Sequence, residues 1–87
     1  MNFAFTPQSW DEYIDWQTQD KKITKKINEL LKDILRHPYE GIGKPEALKN
    51  NLSGFWSRRI NDKHRLVYRI IDDECQIIQC KGHYHDT

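Results

Sequence analysis

Five apolar residues, Ile23, Ile27, Leu30, Leu31 and Ile34, recur inside an otherwise polar, lysine-rich stretch at steps of four, three, one and three. That spacing puts all five on one side of an α-helix. A helix of this length is marginal alone in water, so the stripe demands a partner surface to bury it. Its ends are readable too. Asp20 supplies an N-cap carboxylate, and Pro38 biases His37 out of helical geometry, so the helix ends near Arg36. With 87 residues in total, the chain holds one core and one domain, 1–87. A domain of this size buries only about 60% of its unfolded surface.

The remaining segments say what covers the stripe. Asn2 to Phe5 reads as a short strand, with Phe3 and Phe5 on one face. Thr6 followed by Pro7 marks the start of a first helix, with Trp10, Tyr13, Ile14 and Gln17 at helical spacing. Between Pro38 and Gly54 the residues Gly41, Gly43, Pro45, Asn50 and Asn51 break any regular pattern, predicting a loop with one helical turn at Glu46 to Lys49. Three strand-like runs follow, Phe55 to Asn61, Arg65 to Asp72 and Cys75 to Lys81, divided by polar turns. The order β, α, α, β, β, β predicts an α+β domain, two helices on one side of a small, mainly antiparallel sheet, with the other side open. Three Trp, four Tyr and three Phe supply bulk for the core.

The near-neutral total of +1 conceals a segregation. Positions 44 to 69 carry Lys44, Lys49, Arg58, Arg59, Lys63, Arg65 and Arg69 against only Glu46 and Asp62. A basic patch of this kind is the footprint of a polyanion binder, or else a solvated face of mixed charge. Ser57, Arg59, Arg65, Val67 and Arg69 share the open face if Arg59 lies directly opposite Arg65, which leaves Trp56, Ile60, Leu66, Tyr68 and Ile70 for the core. Arg58 then points the other way and packs its stem or pairs with a carboxylate. The start of the chain lacks a basic, apolar leader and no run of 18 apolar residues occurs, so a cytoplasmic protein without membrane association is expected. Cys75 and Cys80, five apart in one strand, are expected on opposite faces and unbridged.

Three side-chain types along this patch are those that RNA cleavage by transphosphorylation requires: a base for the 2′-hydroxyl, an acid for the leaving 5′-oxygen, and cations for the phosphorane. Glu46 stands between Lys44 and Lys49, whose field favours a carboxylate that can act as base. His83 is an imidazole, the side chain that exchanges protons most readily near neutrality, and Tyr84 beside it offers a stacking surface for a base. Arg59 and Arg65 present planar forks that match phosphate oxygens, and Lys49 a point charge. Taken singly, each also fits an ordinary exposed side chain. His83 and His85 with Asp86 or Cys80 have donor chemistry for zinc, but the spacing of a closed site is missing, and this route needs no metal or other cofactor.

Ser9-Trp10-Asp11-Glu12-Tyr13, Lys25-Lys26-Ile27-Asn28-Glu29-Leu30, Gly43-Lys44-Pro45-Glu46-Ala47-Leu48-Lys49, Asn51 to Ile60, His64-Arg65-Leu66-Val67-Tyr68 and His83-Tyr84 together resemble the YoeB branch of the RelE toxin superfamily over nearly the whole chain. The resemblance implies a RelE-like fold and the toxin of a type II toxin-antitoxin pair, which enters the ribosomal A site and cuts bound mRNA. It implies Glu46 as general base and His83 as general acid, Arg65, Arg59 and Lys49 as phosphate-stabilising cations, and Tyr84 as the aromatic that positions substrate. The implied partners are a YefM/Phd-type antitoxin that folds over the toxin and represses the operon with it, a second toxin copy, the ribosome and mRNA. Lys21, Lys22, Lys25, Lys26 and Lys32 of the second helix are candidates for ribosomal RNA or for a solvated face. The same fold also serves gyrase-inhibiting toxins without nuclease chemistry, and a regulator that only represses is a third reading. Where the family commonly ends at or near His-Tyr, this chain continues with His85, Asp86 and Thr87, and Gly82 predicts a loose segment before His83.

Overall fold

The computed structural model describes residues 1–83. Thr6 caps the first helix, α1 (Pro7–Gln19), its hydroxyl accepting from the Ser9 N–H, with Pro7 in the first turn. Asp20 ends α1 through its own N–H to the Trp16 carbonyl and starts α2 (Lys21–Arg36) by accepting from the Lys22 and Ile23 N–H groups. One residue therefore closes one helix and opens the next. All five residues of the α2 stripe are buried, as their spacing predicts. In α1 the inward residues are Ser9 and Trp16. Trp10 and Ile14, expected on the buried face, are 48% and 42% exposed. The reason is that α1 is pinned to the sheet by polar groups: the Ser9 hydroxyl donates to the Ile77 carbonyl at 2.7 Å and the Trp16 indole N–H to the Cys80 carbonyl at 2.9 Å.

The sheet has five strands, one more than expected: β1 (Asn2–Phe5), β2 (Glu46–Ala47), β3 (Trp56–Arg59), β4 (Arg65–Ile71) and β5 (Glu74–Gln79), in the order β1-β5-β4-β3-β2. Only β1–β5 is parallel. The helical turn expected at Glu46 to Lys49 lies instead at Asn50–Leu52, as a short 3₁₀ segment, and Glu46 belongs to an edge strand. The β4–β5 hairpin turns on Asp72 and Asp73, both at positive φ, the conformation whose twist matches that of the flanking strands.

Register decides which side chains share a face. Arg59 lies opposite Arg65, Arg58 opposite Leu66, Ser57 opposite Val67 and Trp56 opposite Tyr68, as the charge pattern requires. Between Val67 and Tyr68 the pairing with β5 shifts, Val67 facing Gln79 and Tyr68 facing Ile77, which leaves Ile78 as the extra residue of a bulge. The bulge reverses the expectation for the cysteines. Cys75 and Cys80 both point into the core, as free thiols, and burial pushes each up to about 12.

The core joins Trp16 and the α2 stripe to Ile60, Leu66, Tyr68, Cys75, Ile77 and Cys80, with Phe3, Phe5, Trp56 and Ile70 against it. The opposite face is less open than expected. Ser57 and Val67 on that face are 3% and 0% exposed, and Leu48 of the β2–β3 connection is also buried. Among the described residues no helix is long and apolar enough to cross a membrane.

Candidate active site

Neighbouring arginines on β3 do opposite jobs. The Arg58 side chain is wholly buried and ion-paired with Asp33 of α2 at 2.6 Å. It also donates to the carbonyls of His37, Ile42 and Glu40 and, through Nε, to the Tyr68 hydroxyl, which itself donates to the Pro38 carbonyl at 2.7 Å. An irregular segment cannot pair its own carbonyls, and here a single guanidinium does so. Its hydrogen bond holds the Asp33 carboxyl below the usual range, against the opposing effect of burial. The segment is drawn so close to α2 that a Cβ on Gly41 would lie 2.0 Å from Asp33 Oδ2, and one on Gly43 2.7 Å from a Leu30 methyl. The Gly43 carbonyl then accepts from the Arg59 N–H at 2.6 Å, and three residues later the chain joins the sheet with Glu46 opposite Ser57.

Residues directly opposite in a sheet project from the same face. Glu46, Ser57, Val67 and Gln79 form one row across β2 to β5. In the adjoining row Arg59 faces Arg65, and the Arg65 N–H donates to the Gly82 carbonyl at 3.0 Å. The first row spans three interstrand spacings, roughly 14 Å. Glu46 thus approaches the arginine pair from one flank and the segment bearing His83 from the other. Two guanidinium groups directly across a strand pair repel, costing up to about 1 kcal/mol, and an anion between them would offset that cost.

His83 is anchored, contrary to the expectation of a loose segment. Trp16 holds the Cys80 carbonyl and Glu12 Oε1 accepts from the Cys80 N–H at 2.8 Å. His64 Nδ1 accepts from the Gly82 N–H at 2.8 Å, Gln79 donates to the carbonyls of Gly82 and His83, and His83 Nε2 lies 3.3 Å from the Asp62 carbonyl. Arg65 Nη1 donates to the carbonyls of Asn61 and His64 in the same β3–β4 turn, which Asn61 closes by accepting from the Lys63 and His64 N–H groups. Arg59 is exposed, and Lys49 is exposed just before the 3₁₀ segment. Tyr84, with residues 85–87, lies outside the described residues.

Arg58 carries its charge into the core, on the inward face where strand alternation places it. Arg69 stays on the face of Arg65 and Val67, where it donates to Gln76 at 2.7 Å and stacks over Phe55 at 4.9 Å. Sequence reasoning missed His64, Asn61 and Gln79, because they act through backbone groups and no spacing announces that. Among the described residues no three His, Cys, Asp or Glu side chains gather as a metal site would require.

Two helices on one face of a five-stranded mixed sheet and opposed arginines on the other define a compact α+β domain with a basic sheet face. The chain is similar to the YoeB/ParE toxin of Agrobacterium tumefaciens, at a TM-score of 0.94 and 44% identity, covering 97% of this chain and all of that one. It is also similar to the toxin in the heterotetrameric YoeB-YefM complex of Staphylococcus aureus, at a TM-score of 0.90 and 55% identity over 97% of this chain and 98% of that one. Toxin YoeB of Escherichia coli K12 is 58% identical over 84 residues, 97% of this chain and 100% of the relative. The profile of the YoeB-like toxin of bacterial type II toxin-antitoxin systems matches residues 5–84. The chain belongs to this YoeB-like toxin family.

Proposed function

We propose that this toxin is a ribosome-dependent endoribonuclease that cuts mRNA in the A site by acid-base transphosphorylation. The observation that carries the reading is the direct opposition of Arg59 and Arg65, with Glu46 entering one flank through β2 and His83 the other through its anchored segment. The two forks receive the scissile phosphate and stabilise the charge that grows on it. Glu46 takes the 2′-hydroxyl proton and His83 protonates the leaving 5′-oxygen, giving a 2′,3′-cyclic phosphate without a metal. Lys49 adds charge at the rim and Tyr84 stacks on a base. A flat sheet surface suits a substrate that the ribosome holds in place, because the ribosome then supplies the positioning that a deep cleft otherwise provides.

The heterotetramer and the dimer of the Staphylococcus aureus relative support two further assignments, a YefM-type antitoxin that covers the basic face and a homodimer. Repression of the toxin's own operon with the antitoxin, in the cytoplasm, completes the reading. Primer extension on programmed ribosomes with wild type, Glu46→Gln and His83→Gln tests the chemistry. Each variant is expected to cut about 10²- to 10⁴-fold more slowly, and the wild-type product to end in a cyclic phosphate. Undiminished cutting by both variants would refute the acid-base assignment, and gyrase inhibition without cut mRNA would place the toxin in a different mechanistic class.

A further inference from the structure

His64 immediately precedes Arg65, and its ring makes two contacts of different kinds. One edge packs against Trp16, at a centroid separation of 4.8 Å and an interplanar angle of 69°. The other presents Nδ1 to the Gly82 N–H at 2.8 Å. A ring nitrogen that accepts is unprotonated, so the bond fixes the neutral tautomer with the proton on Nε2. Gly82 is at φ +79° with nothing within 4 Å of where a Cβ would stand. Its N–H and its carbonyl are both hydrogen-bonded.

We propose that His64 is a positioning residue, whose neutral imidazole latches the Gly82 N–H and thereby sets His83 against the arginine pair. The inference rests on the acid role assigned above to His83. Three other groups grip the same segment: the Arg65 N–H on the Gly82 carbonyl, the Gln79 amide on the Gly82 and His83 carbonyls, and the Asp62 carbonyl near His83 Nε2. The first two bind carbonyls and the third meets the His83 side chain. The His64 bond holds the Gly82 N–H, fixing the Lys81–Gly82 peptide plane, one link before the Gly82–His83 peptide. Protonation of His64 would replace the acceptor by a donor and break the latch. Burial of the ring, and then Lys81, Lys63, His83 and Arg65 around it, hold the ring in its neutral form and push its pKa below the ordinary histidine value.

Two substitutions separate latch from packing. His64→Phe keeps a ring for Trp16 and removes the acceptor, whereas His64→Asn removes the ring and places an amide oxygen near the Nδ1 position. Both are made in the full chain. Amide hydrogen exchange at Gly82 is measured, together with kcat and KM for cleavage on programmed ribosomes. The latch predicts faster Gly82 exchange and a 10- to 100-fold lower kcat for His64→Phe, with KM little changed and near-normal exchange and kcat for His64→Asn. The opposite ranking, His64→Asn impaired and His64→Phe normal, would show that the ring only packs and would overturn the proposal. So would wild-type Gly82 exchange in His64→Phe. Faster exchange in His64→Phe with undiminished cleavage by both His64→Phe and His83→Gln would retain the tether and refute the acid role of His83, so the two failures are distinguishable.

Discussion

At the scale of single residues, a difference of one position separates a structural cation from a surface one. Arg58 and Arg59 are chemically identical, and the alternation of a strand sends the first into the core and the second to solvent. Breaking a buried, hydrogen-bonded ion pair by removing one partner costs about 3–5 kcal/mol, since the remaining charge is left without its partner. A domain of this size has a total stability on the order of 4–13 kcal/mol. Arg58→Met is therefore expected to lower the urea midpoint by a large fraction, or to abolish folding. Arg59→Met should leave the midpoint unchanged or slightly raised, since it relieves a repulsion with Arg65 of at most about 1 kcal/mol. Equal midpoints for the two variants would contradict the assignment of Arg58 as the tie that holds residues 37–42 to α2.

Among the elements, both helices follow their caps and α2 follows its spacing, while the 38–54 connection depends on tertiary contacts. Gly43 and Gly54 both sit at positive φ, at +80° and +93°. An alanine at Gly54 meets nothing within 4 Å, so it incurs only the conformational strain of about 1–2 kcal/mol. At Gly43 the new methyl would lie 2.7 Å from the Leu30 side chain, 3.1 Å from Arg58 Cβ and 3.2 Å from the Arg59 carbonyl, adding an overpacking cost of about 1–3 kcal/mol. Chemical denaturation is expected to show Gly43→Ala as the more destabilised of the two. It should also show reduced cleavage, because the same displacement moves Glu46 along β3. Gly54→Ala as the weaker variant would refute this account of the loop.

For the whole molecule, two groups give the pH dependence below neutrality its sign. His64 is depressed below its ordinary value of 6.5 and Asp33 below 3.8. For a depressed histidine the unfolded chain binds the proton first, so stability is full above about pH 6.5 and declines as pH falls towards the folded value. For the depressed carboxyl, stability is full above about pH 3.8 and is lost as pH falls through its lower folded value. Urea unfolding measured from pH 8 to pH 3 should show a first decline that His64→Asn removes. A second, below pH 4, should be absent in Asp33→Asn, itself less stable throughout. A first decline that persists unchanged in His64→Asn would assign it to another group.

How much of this was legible beforehand follows from the range of the forces involved. The α2 stripe, the Thr6 and Asp20 caps, the ending at Pro38 and the opposition of Arg59 to Arg65 are set by periodicity and turn length, which act between near neighbours in the chain. The basic run, Glu46 within it and His83 beyond it were equally plain as residue types. Tertiary structure alone decided the rest. The bulge at Ile78 turned both cysteines inward, polar bonds from Ser9 and Trp16 rotated α1, and Arg58, already expected to point inward, met Asp33 of α2 as its partner. Asp33 and the carbonyls of residues 37–42 placed β2 at the sheet edge, and the His64 ring tied down Gly82. Each depends on a donor meeting an acceptor far away in sequence, and no local pattern encodes such a meeting.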